Sequence, residues 1–478
     1  MRWTPRIALS LALLVGLIAR AWGAFDDGIY WPDEIYQSLE VAHAQVYGYG
    51  LIPWEFVDGA RNWSLPAVVT ALLEVSKLVG LDTPLGYVRL VKLVFAFLGV
   101  LTTLGVFRLA RAFSAPPWAA AASAAMYALA APVIYFAPRA MSENAGAAPL
   151  VWGLALLFED PAPKPRKILW AGSLVGLAVL FRLQLAAVAL GLVGVLFIGR
   201  RWSVLKPLVL ALCAWALLYG GLDALTWHQL PSAKYGGWFH SVLVYVQFNV
   251  VEGRGAHWGT SAWTYYFRFL FTSMPTVTVG LALGLAATLW RRSWVLPLLT
   301  VLFLAVHLAT PHKEFRFLVP ILPLLFASVG VGMTGLADGL VARLSVLGVA
   351  AGVWSTLQLT SLTMGELGAY LEQRPQAPAW GDFANVNRLL VTAGQRPDLC
   401  GIRIDVADLA WTGGATYLHK RAPLYRRNVP PQLGYFNYLL AAKGLSGLEL
   451  ISEDQGVALY RLPIATCATD ASYPWKLF

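Results

Sequence analysis

The chain has 478 residues, of which 58% are hydrophobic and only 13% charged, and its mean hydropathy is +0.60. A soluble domain carries about 25% charged residues, so this composition excludes an ordinary globular protein and predicts one that crosses a membrane many times. The net charge of +10 is not a nucleic-acid signal. The basic residues sit in short clusters between apolar runs, at Arg2/Arg6, Arg108/Arg111, Lys164/Arg166/Lys167, Arg200/Arg201/Lys206 and Arg291/Arg292, as cytoplasmic helix ends do under the positive-inside rule.

A spanning helix needs about 20 apolar residues, fewer inside a bundle. Runs at 7–24, 87–107, 117–137, 145–158, 168–182, 184–199, 205–222, 273–290, 295–310, 315–332 and 343–362 qualify. The first has the basic start of a signal peptide but no convincing small-x-small cleavage site, and is read as a retained helix. With the N-terminus inside, the clusters at 108–111, 164–167, 200–206 and 291–292 also fall inside. The loops at 25–64, 138–144, 223–262 and 311–316, and the C-terminal region, then fall outside. Residues 64–80 carry Glu74 and Lys77. As a full crossing they would put Arg108 and Arg111 outside, so they are expected to be tilted, re-entrant or interfacial. Residues 168–199 are broken only by Phe181-Arg182-Leu183-Gln184. The reading is a short hairpin with Arg182 at its outer tip; the alternative is one long helix.

The first outer loop contains GIYWPDEIYQSLEVAHAQVYGYGLIPWEFVDGARNWSLP, residues 28–66. Pro32 suits the first helical position, and Asp33 and Glu34 then fall in the first turn, where the helix dipole favours carboxylates. At helical spacing Ile35, Leu39, Ala42 and Val46 form an apolar stripe, opposite Asp33, Tyr36, Gln37, Glu40, His43 and Tyr47. The pattern predicts an amphipathic helix at the membrane surface, its polar face towards a site.

From about residue 363 the chain becomes polar. CGIRIDV (400–406), ATYLHKRAPLYRR (415–427) and GVALYRLP (456–463) read as strands and FANVNRLLVTAG (383–394) as a helix, giving a small α/β extramembrane domain. The expected division is a membrane domain over 1–362 and this domain over 363–478. Cys213 lies in an apolar run and is read as core. Cys400 and Cys467 are able to pair if their region faces an oxidising compartment, and the sequence leaves that open.

The unusual polar residues collect on the outer side, among them Asp33, Glu34, Arg61, Arg139, Glu143, Arg182, Asp223, His312, Lys313, Glu314 and Arg316. A transporter would place charges near the bilayer midplane, so the pattern favours chemistry at the membrane face. No Walker loop, GxGxxG or HExxH is present, nor a zinc-spaced Cys/His cluster. The outer loops also lack a D-x-D pair, which argues against a metal-held nucleotide-sugar donor. No metal and no cofactor are expected. In PHKEFRFLVPILPLL (311–325) the charges are either an interfacial anchor or a cradle for a lipid phosphate, with Arg139 and Arg182 as similar single-Arg candidates. The aromatic loop 223–267 is either an interfacial belt or a sugar site.

WPDEIYQSLEVAHAQVYGYGLIPWEF resembles the first-loop signature of the polyprenyl-phosphate-mannose-dependent mannosyltransferases, which build GPI anchors and the lipid-linked N-glycan precursor. The family pattern reads approximately H-P-D-E-x-x-Q-S-x-E-x-A-H, then Y-G-x-G-x-x-T-W-E-W. PHKEFRFLVPILPL is similar to the family's H-K-E-x-R-F-x-x-P, and VQFNVVEGRGAHWGTSAWTYYF to its F-N-V … W-x-Y-F loop. Trp31 stands where the family has His, Pro53 where it has Thr, and Arg139 to Asn144 follow its R-T-x-S-N run only loosely. The resemblance implies a GT-C fold: an all-α polytopic membrane bundle of about 11–12 transmembrane helices under a long first outer loop. It also implies an inverting transfer of mannose from a polyprenyl-phosphate-linked sugar donor to a glycan or glycolipid acceptor. Asp33 is then the expected base and Glu34 its partner, with roles open to exchange. Lys313, Arg316, His312, Arg182 and Arg139 are expected at the donor phosphate. Gln37, Glu40, His43, Trp54, Glu55, Arg61, Asn249 and Trp263 are expected at the acceptor or sugar. The membrane lipid is the remaining expected partner, in a bacterial inner membrane facing the periplasm or in the endoplasmic reticulum facing the lumen. Another polyprenyl-phosphate sugar, such as arabinose or glucose, or a lipid or glycan transporter, are the competing readings.

Overall fold

A computed structural model describes residues 4–369, 373–464 and 466–477. The chain forms two compact units. One comprises Met1–Ala24, Ala60–Ser64 and Leu93–Ala377; the other comprises Phe25–Gly59, Leu65–Lys92 and Pro378–Phe478.

The first unit is helical. Pro5–Gly23, Pro84–Ala112 (whose first turns belong to the second unit), Trp202–Trp227 and Asp338–Leu357 are long and apolar enough to cross a membrane. Shorter apolar helices include Pro275–Trp290, Val295–Ala309 and Leu322–Gly332. Every expected apolar run is helical over most of its length. Leu190, Ile198, Leu283 and Trp290 are exposed, the pattern of a bundle whose outer surface meets lipid rather than water. Cys213 is exposed too. The core reading fails for that residue because an apolar run in a bundle has a lipid-facing side as well as a packed one.

Pro117–Leu129 lies inside the bundle and is alanine-rich. It is buried from Ala119 onward, since small side chains let helices approach closely. Gly284 serves the same end: a Cβ there would lie 2.5 Å from Val329 Cα. The expected helix 117–137 is divided at Ala130 into Pro117–Leu129 and Ala131–Phe136. Pro132 has no N–H to give Ala128. The Ala128 carbonyl instead accepts from the buried Arg20 Nη1 at 2.7 Å, and the Leu129 carbonyl accepts from Thr356 Oγ1 at 2.6 Å. The expected 315–332 run is divided likewise, into a 3-10 turn, Phe315–Leu318, and a helix, Leu322–Gly332, around Pro320 and Pro323. The 168–199 run is broken where the hairpin was expected to turn, so it is not one long helix: Pro165–Phe181 ends where Arg182 turns extended, with φ −141° and ψ 103°.

In the second unit, a five-stranded sheet has the order β2-β1-β3-β5-β4. Its strands are β1 Ile402–Ile404, β2 Leu424–Arg426, β3 Tyr438–Ala442, β4 Glu449–Asp454 and β5 Val457–Arg461. β1 is parallel to β2 and β3, while β5 is antiparallel to β3 and β4. The helix Ala384–Gly394 forms as expected. Only the end of the expected 415–427 strand is extended, because Gly414–Leu418 turns as a short helix. Cys400 and Cys467 form a disulfide. Ser64–Leu78 is a 15-residue helix, shorter than a spanning helix needs.

The loop segment 25–59 folds with residues 378–478 in this unit. Both faces of its helix are covered: Ile35, Leu39 and Ala42 are buried, and so are Tyr36, Glu40 and His43. The expected surface helix is therefore an interior element. Its polar side meets protein groups that neighbouring sequence does not reveal.

Candidate active site

In the first unit the charged residues of three loops converge. Asn144 Nδ2 donates to the carbonyls of Phe136 and Arg139 at 2.6 and 2.8 Å, which fixes the turn before the helix Ser142–Phe158. Glu143 stands in the first turn of that helix. Its Oε1 meets Arg182 Nη1 at 2.9 Å and Arg316 Nη1 at 3.2 Å. Arg182 is delivered by the helix break, and its Nη1 also lies 3.2 Å from Ser142 Oγ. Arg316, in the turn Phe315–Leu318, grips Glu314 with both Nε and Nη2, at 2.7 and 3.0 Å. Such forked pairs fix geometry as well as charge. The Phe317 ring has the Arg182 guanidinium 5.0 Å and the Arg316 guanidinium 5.2 Å from its centre. Arg61 lies within electrostatic reach of both Glu143 and Arg182. Arg182 and Arg316 thus share Glu143, Arg316 also holds Glu314, and Arg61 acts on the same network.

His312 Nε2 is 2.9 Å from Glu314 Oε1. Burial works against a charged His312, but the Glu314 carboxylate outweighs it and raises its pKa above the ordinary 6.5. Burial likewise opposes a charged Glu314, and Arg316 and His312 overcome it and hold that carboxyl below its usual range. A raised histidine pKa contributes stability that is complete below about 6.5 and is lost as pH rises through the raised value. The thermal midpoint of the purified protein is expected to fall as pH rises from about 6 to about 9, with a shallower fall in His312→Gln. Identical slopes in the two proteins would remove the His312–Glu314 pair from this account. Lys313 Nζ donates to the carbonyls of Thr310, Ser261 and Pro311, at 2.6, 3.2 and 3.5 Å, so it fastens the loop. The Arg139 guanidinium sits 4.1 Å from the Tyr135 ring centre.

In the second unit, the chain turns at Pro32, whose carbonyl accepts from Ile35 and Tyr36, and Asp33 opens the helix as expected. Asp33 is partly exposed, whereas Glu34 is buried and its Oε2 accepts from Tyr30 N at 3.3 Å. Ile35–Leu39 is one π-helical turn, a feature frequent at functional sites. Gln37 Nε2 donates to Glu55 Oε1 at 2.8 Å, bringing together two of the residues expected at the acceptor. Trp54 begins the short helix beside them.

Glu40 and His43 have another occupation. Glu40 is fully buried, and its carboxylate accepts from Leu51 N (2.7 Å), Ala415 N (2.9 Å), Thr416 N (2.8 Å) and Thr416 Oγ1 (2.6 Å). Gly414, at φ +56°, has no room for a Cβ against that carboxylate. His43 Nδ1 lies 3.1 Å from Tyr49 O, and its Nε2 3.2 Å from His419 Nδ1. Burial pushes its pKa down to about 3, so the ring is neutral at ordinary pH. Both residues join the loop helix to the C-terminal segment. Glu40→Ala is expected to strand the amides of Leu51, Ala415 and Thr416 at a cost of about 3 kcal/mol or more, read as lost protection in hydrogen exchange at those three positions. Unchanged protection there would contradict the assignment.

Asn249 and Trp263 lie in the first unit, apart from these residues in the sequence. Asn249 Nδ2 donates to Tyr245 O at 3.1 Å, and Trp263 is 69% exposed, as an interfacial or ligand-binding aromatic would be. The sequence reading noted Glu143 and Glu314 as outer charges but gave them no role, and it did not single out Phe317. The signal was an acid in the first turn of a helix and an acid two residues from an arginine. Among the described residues no group of three His, Cys, Asp or Glu side chains is placed to hold a metal ion.

The sequence profile of the Alg9-like mannosyltransferases matches residues 11–371. The chain belongs to that family. It is 27% identical over 305 residues to mannosyltransferase APTG1 of Arabidopsis thaliana, an alignment covering 61% of this chain and 53% of the relative. It is also 27% identical over 365 residues to GPI mannosyltransferase 3 of Yarrowia lipolytica, covering 74% and 68%. The aligned part thus spans between about half and two thirds of the length of these relatives. The fold is similar to that of ArnT from Cupriavidus metallidurans, in a crystal structure bound to undecaprenyl phosphate. The TM-score is 0.61 at 14% identity, over 96% of this chain and 99% of that one. The GT-C architecture expected from the three sequence motifs is the one this family member adopts, an integral membrane protein with a small C-terminal sheet.

Proposed function

We propose that the protein transfers mannose from a polyprenyl-phosphate-mannose to a hydroxyl of a glycan or glycolipid acceptor, with inversion to an α-mannoside. The observation that carries this reading is the buried Glu143–Arg182–Arg316–Glu314 network, with Arg61 in electrostatic reach, whose guanidiniums are the groups that a lipid phosphate would meet in a mannosyltransferase family member. In this mechanism Asp33 takes the proton from the acceptor hydroxyl. The acceptor oxygen attacks C1 of a β-linked mannose, and the C1–O bond to the phosphate breaks. Its electron pair stays on the phosphate oxygen, where Arg182, Arg316 and Arg61 offset the growing charge. A phosphate is already a good leaving group, so no general acid is required. Glu34, held by Tyr30 N, keeps the first turn in place. Gln37, Glu55 and Trp54 serve the acceptor, and Lys313 and His312 hold the 311–316 loop in register.

The site faces the periplasm of a bacterial membrane or the lumen of the endoplasmic reticulum. Two features support that side: the basic clusters assigned to the inner face, and the Cys400–Cys467 disulfide, which suits an oxidising compartment. The ArnT structure of similar fold holds undecaprenyl phosphate, in keeping with a lipid-linked donor. The test offers the reconstituted protein polyprenyl phosphates carrying β-mannose, glucose or arabinose, with NMR of the product. Transfer of mannose alone, giving an α-linkage, is expected. Preference for arabinose or glucose would overturn the sugar assignment, and passage of the lipid across the bilayer with no new glycosidic bond would overturn the enzyme.

A further inference from the structure

His307 lies near the end of the helix Val295–Ala309, is 3% exposed, and had no place in the motifs. Its ring packs on Phe303, with centroids 4.2 Å apart, and lies 5.8 Å from the Phe317 ring. Nδ1 stands 3.0 Å from the Phe303 carbonyl. A carbonyl only accepts, so Nδ1 carries the hydrogen. No carboxylate forms an ion pair with this ring among the described residues, and the neutral ring then has a lone pair at Nε2. That Nε2 is buried and has no hydrogen-bond partner among the described residues.

Two further buried polar atoms of this unit are in the same condition, Arg182 Nε and Tyr266 Oη. The Arg182 guanidinium and the His307 ring lie 5.0 and 5.8 Å from the Phe317 ring, and Arg182 acts electrostatically on both His307 and Tyr266. Together they present an acceptor, a donor, and a hydroxyl able to do either. Buried polar groups are seldom left unmatched, which points to a ligand. A phosphodiester monoanion has no hydrogen to give and cannot satisfy His307 Nε2. A sugar hydroxyl can: it donates to Nε2 and accepts from Tyr266 or Arg182.

We propose that His307, with Tyr266 and Arg182 Nε, binds one ring hydroxyl of the transferred sugar beside its phosphate, and so contributes to sugar specificity; this rests on the reading of a polyprenyl-phosphate-mannose donor. The experiment compares kcat/KM of wild type and His307→Phe on polyprenyl-phosphate-mannose and on its 2-, 3-, 4- and 6-deoxy analogues. Phe keeps the ring packing and removes the acceptor. On the full donor the variant is expected to lose roughly 10- to 100-fold, mainly in KM. With one deoxy analogue the two proteins become equal, and His307→Gln, which restores an acceptor oxygen, recovers part of the loss. An equal loss with every analogue, or no loss on the full donor, overturns the proposal and assigns Nε2 to an ordered water or to packing. Wild-type protein that transfers no mannose from the full donor instead overturns the donor reading, and this inference with it.

Discussion

Asp33→Asn is expected to lower kcat for mannosyl transfer by about 10²- to 10⁴-fold, the usual worth of a positioned general base. The substitution keeps shape and removes the carboxylate that would take the proton. Asp33 is the partly exposed member of the acidic pair, and Glu34 is buried against Tyr30 N. Glu34→Gln is therefore expected to show a smaller loss of kcat, accompanied by lower stability, because a buried charge-assisted bond weakens. The comparison separates the two acids, whose roles the sequence left open to exchange. Near-normal turnover in Asp33→Asn would remove Asp33 from the chemistry. A loss confined to Glu34→Gln would transfer the base to Glu34.

Glu143→Leu is expected to destabilise the membrane bundle by about 3–5 kcal/mol, the usual cost of breaking a buried ion pair by removing one partner. Glu143 is fully buried, and its Oε1 is shared by Arg182 and Arg316. Without it the two guanidiniums, both against the Phe317 ring, lose a common counter-charge and repel. Arg316 keeps Glu314, so Arg182 is the residue left stranded. Adding Arg182→Met to Glu143→Leu is therefore expected to recover much of the lost stability without recovering transfer. The measurement is the thermal midpoint in detergent, with a fall of about 5 °C or more for the single variant. An unchanged midpoint, or a double variant no better than the single one, would show that the pair is not coupled as described.

These two sites differ in how far the sequence disclosed them. Apolar length is a local property, and the runs from residue 7 to 362 became helices because a lipid-facing backbone must satisfy itself within each segment. The break at Arg182 was legible for the same reason: a polar pair interrupts the run where the chain turns. Asp33 and Glu34 were legible because Pro32 and the helix dipole act within one turn. Long-range matches were not. Glu40 appeared as part of a polar face towards a site, and its four donors lie at Leu51 and at 415–416. No local rule brings residue 40 to residue 416. Similarly, β3 at Tyr438–Ala442 is buried along nearly its whole length, so it lacks the alternation by which an exposed-face strand is recognised. The cationic cradle was partly legible. The arginines stood out as charges in an apolar chain, but which carboxylate each would meet depended on how three loops converge.

The claim on which the rest depends is that a lipid phosphate, not a nucleotide, delivers the mannose. Purified protein in liposomes, given an acceptor glycolipid and either polyprenyl-phosphate-[³H]mannose or GDP-[³H]mannose, tests it directly. Label entering the acceptor from the lipid donor, abolished by Asp33→Asn and absent with the nucleotide sugar, is the predicted result. Label entering from GDP-mannose alone would contradict the account.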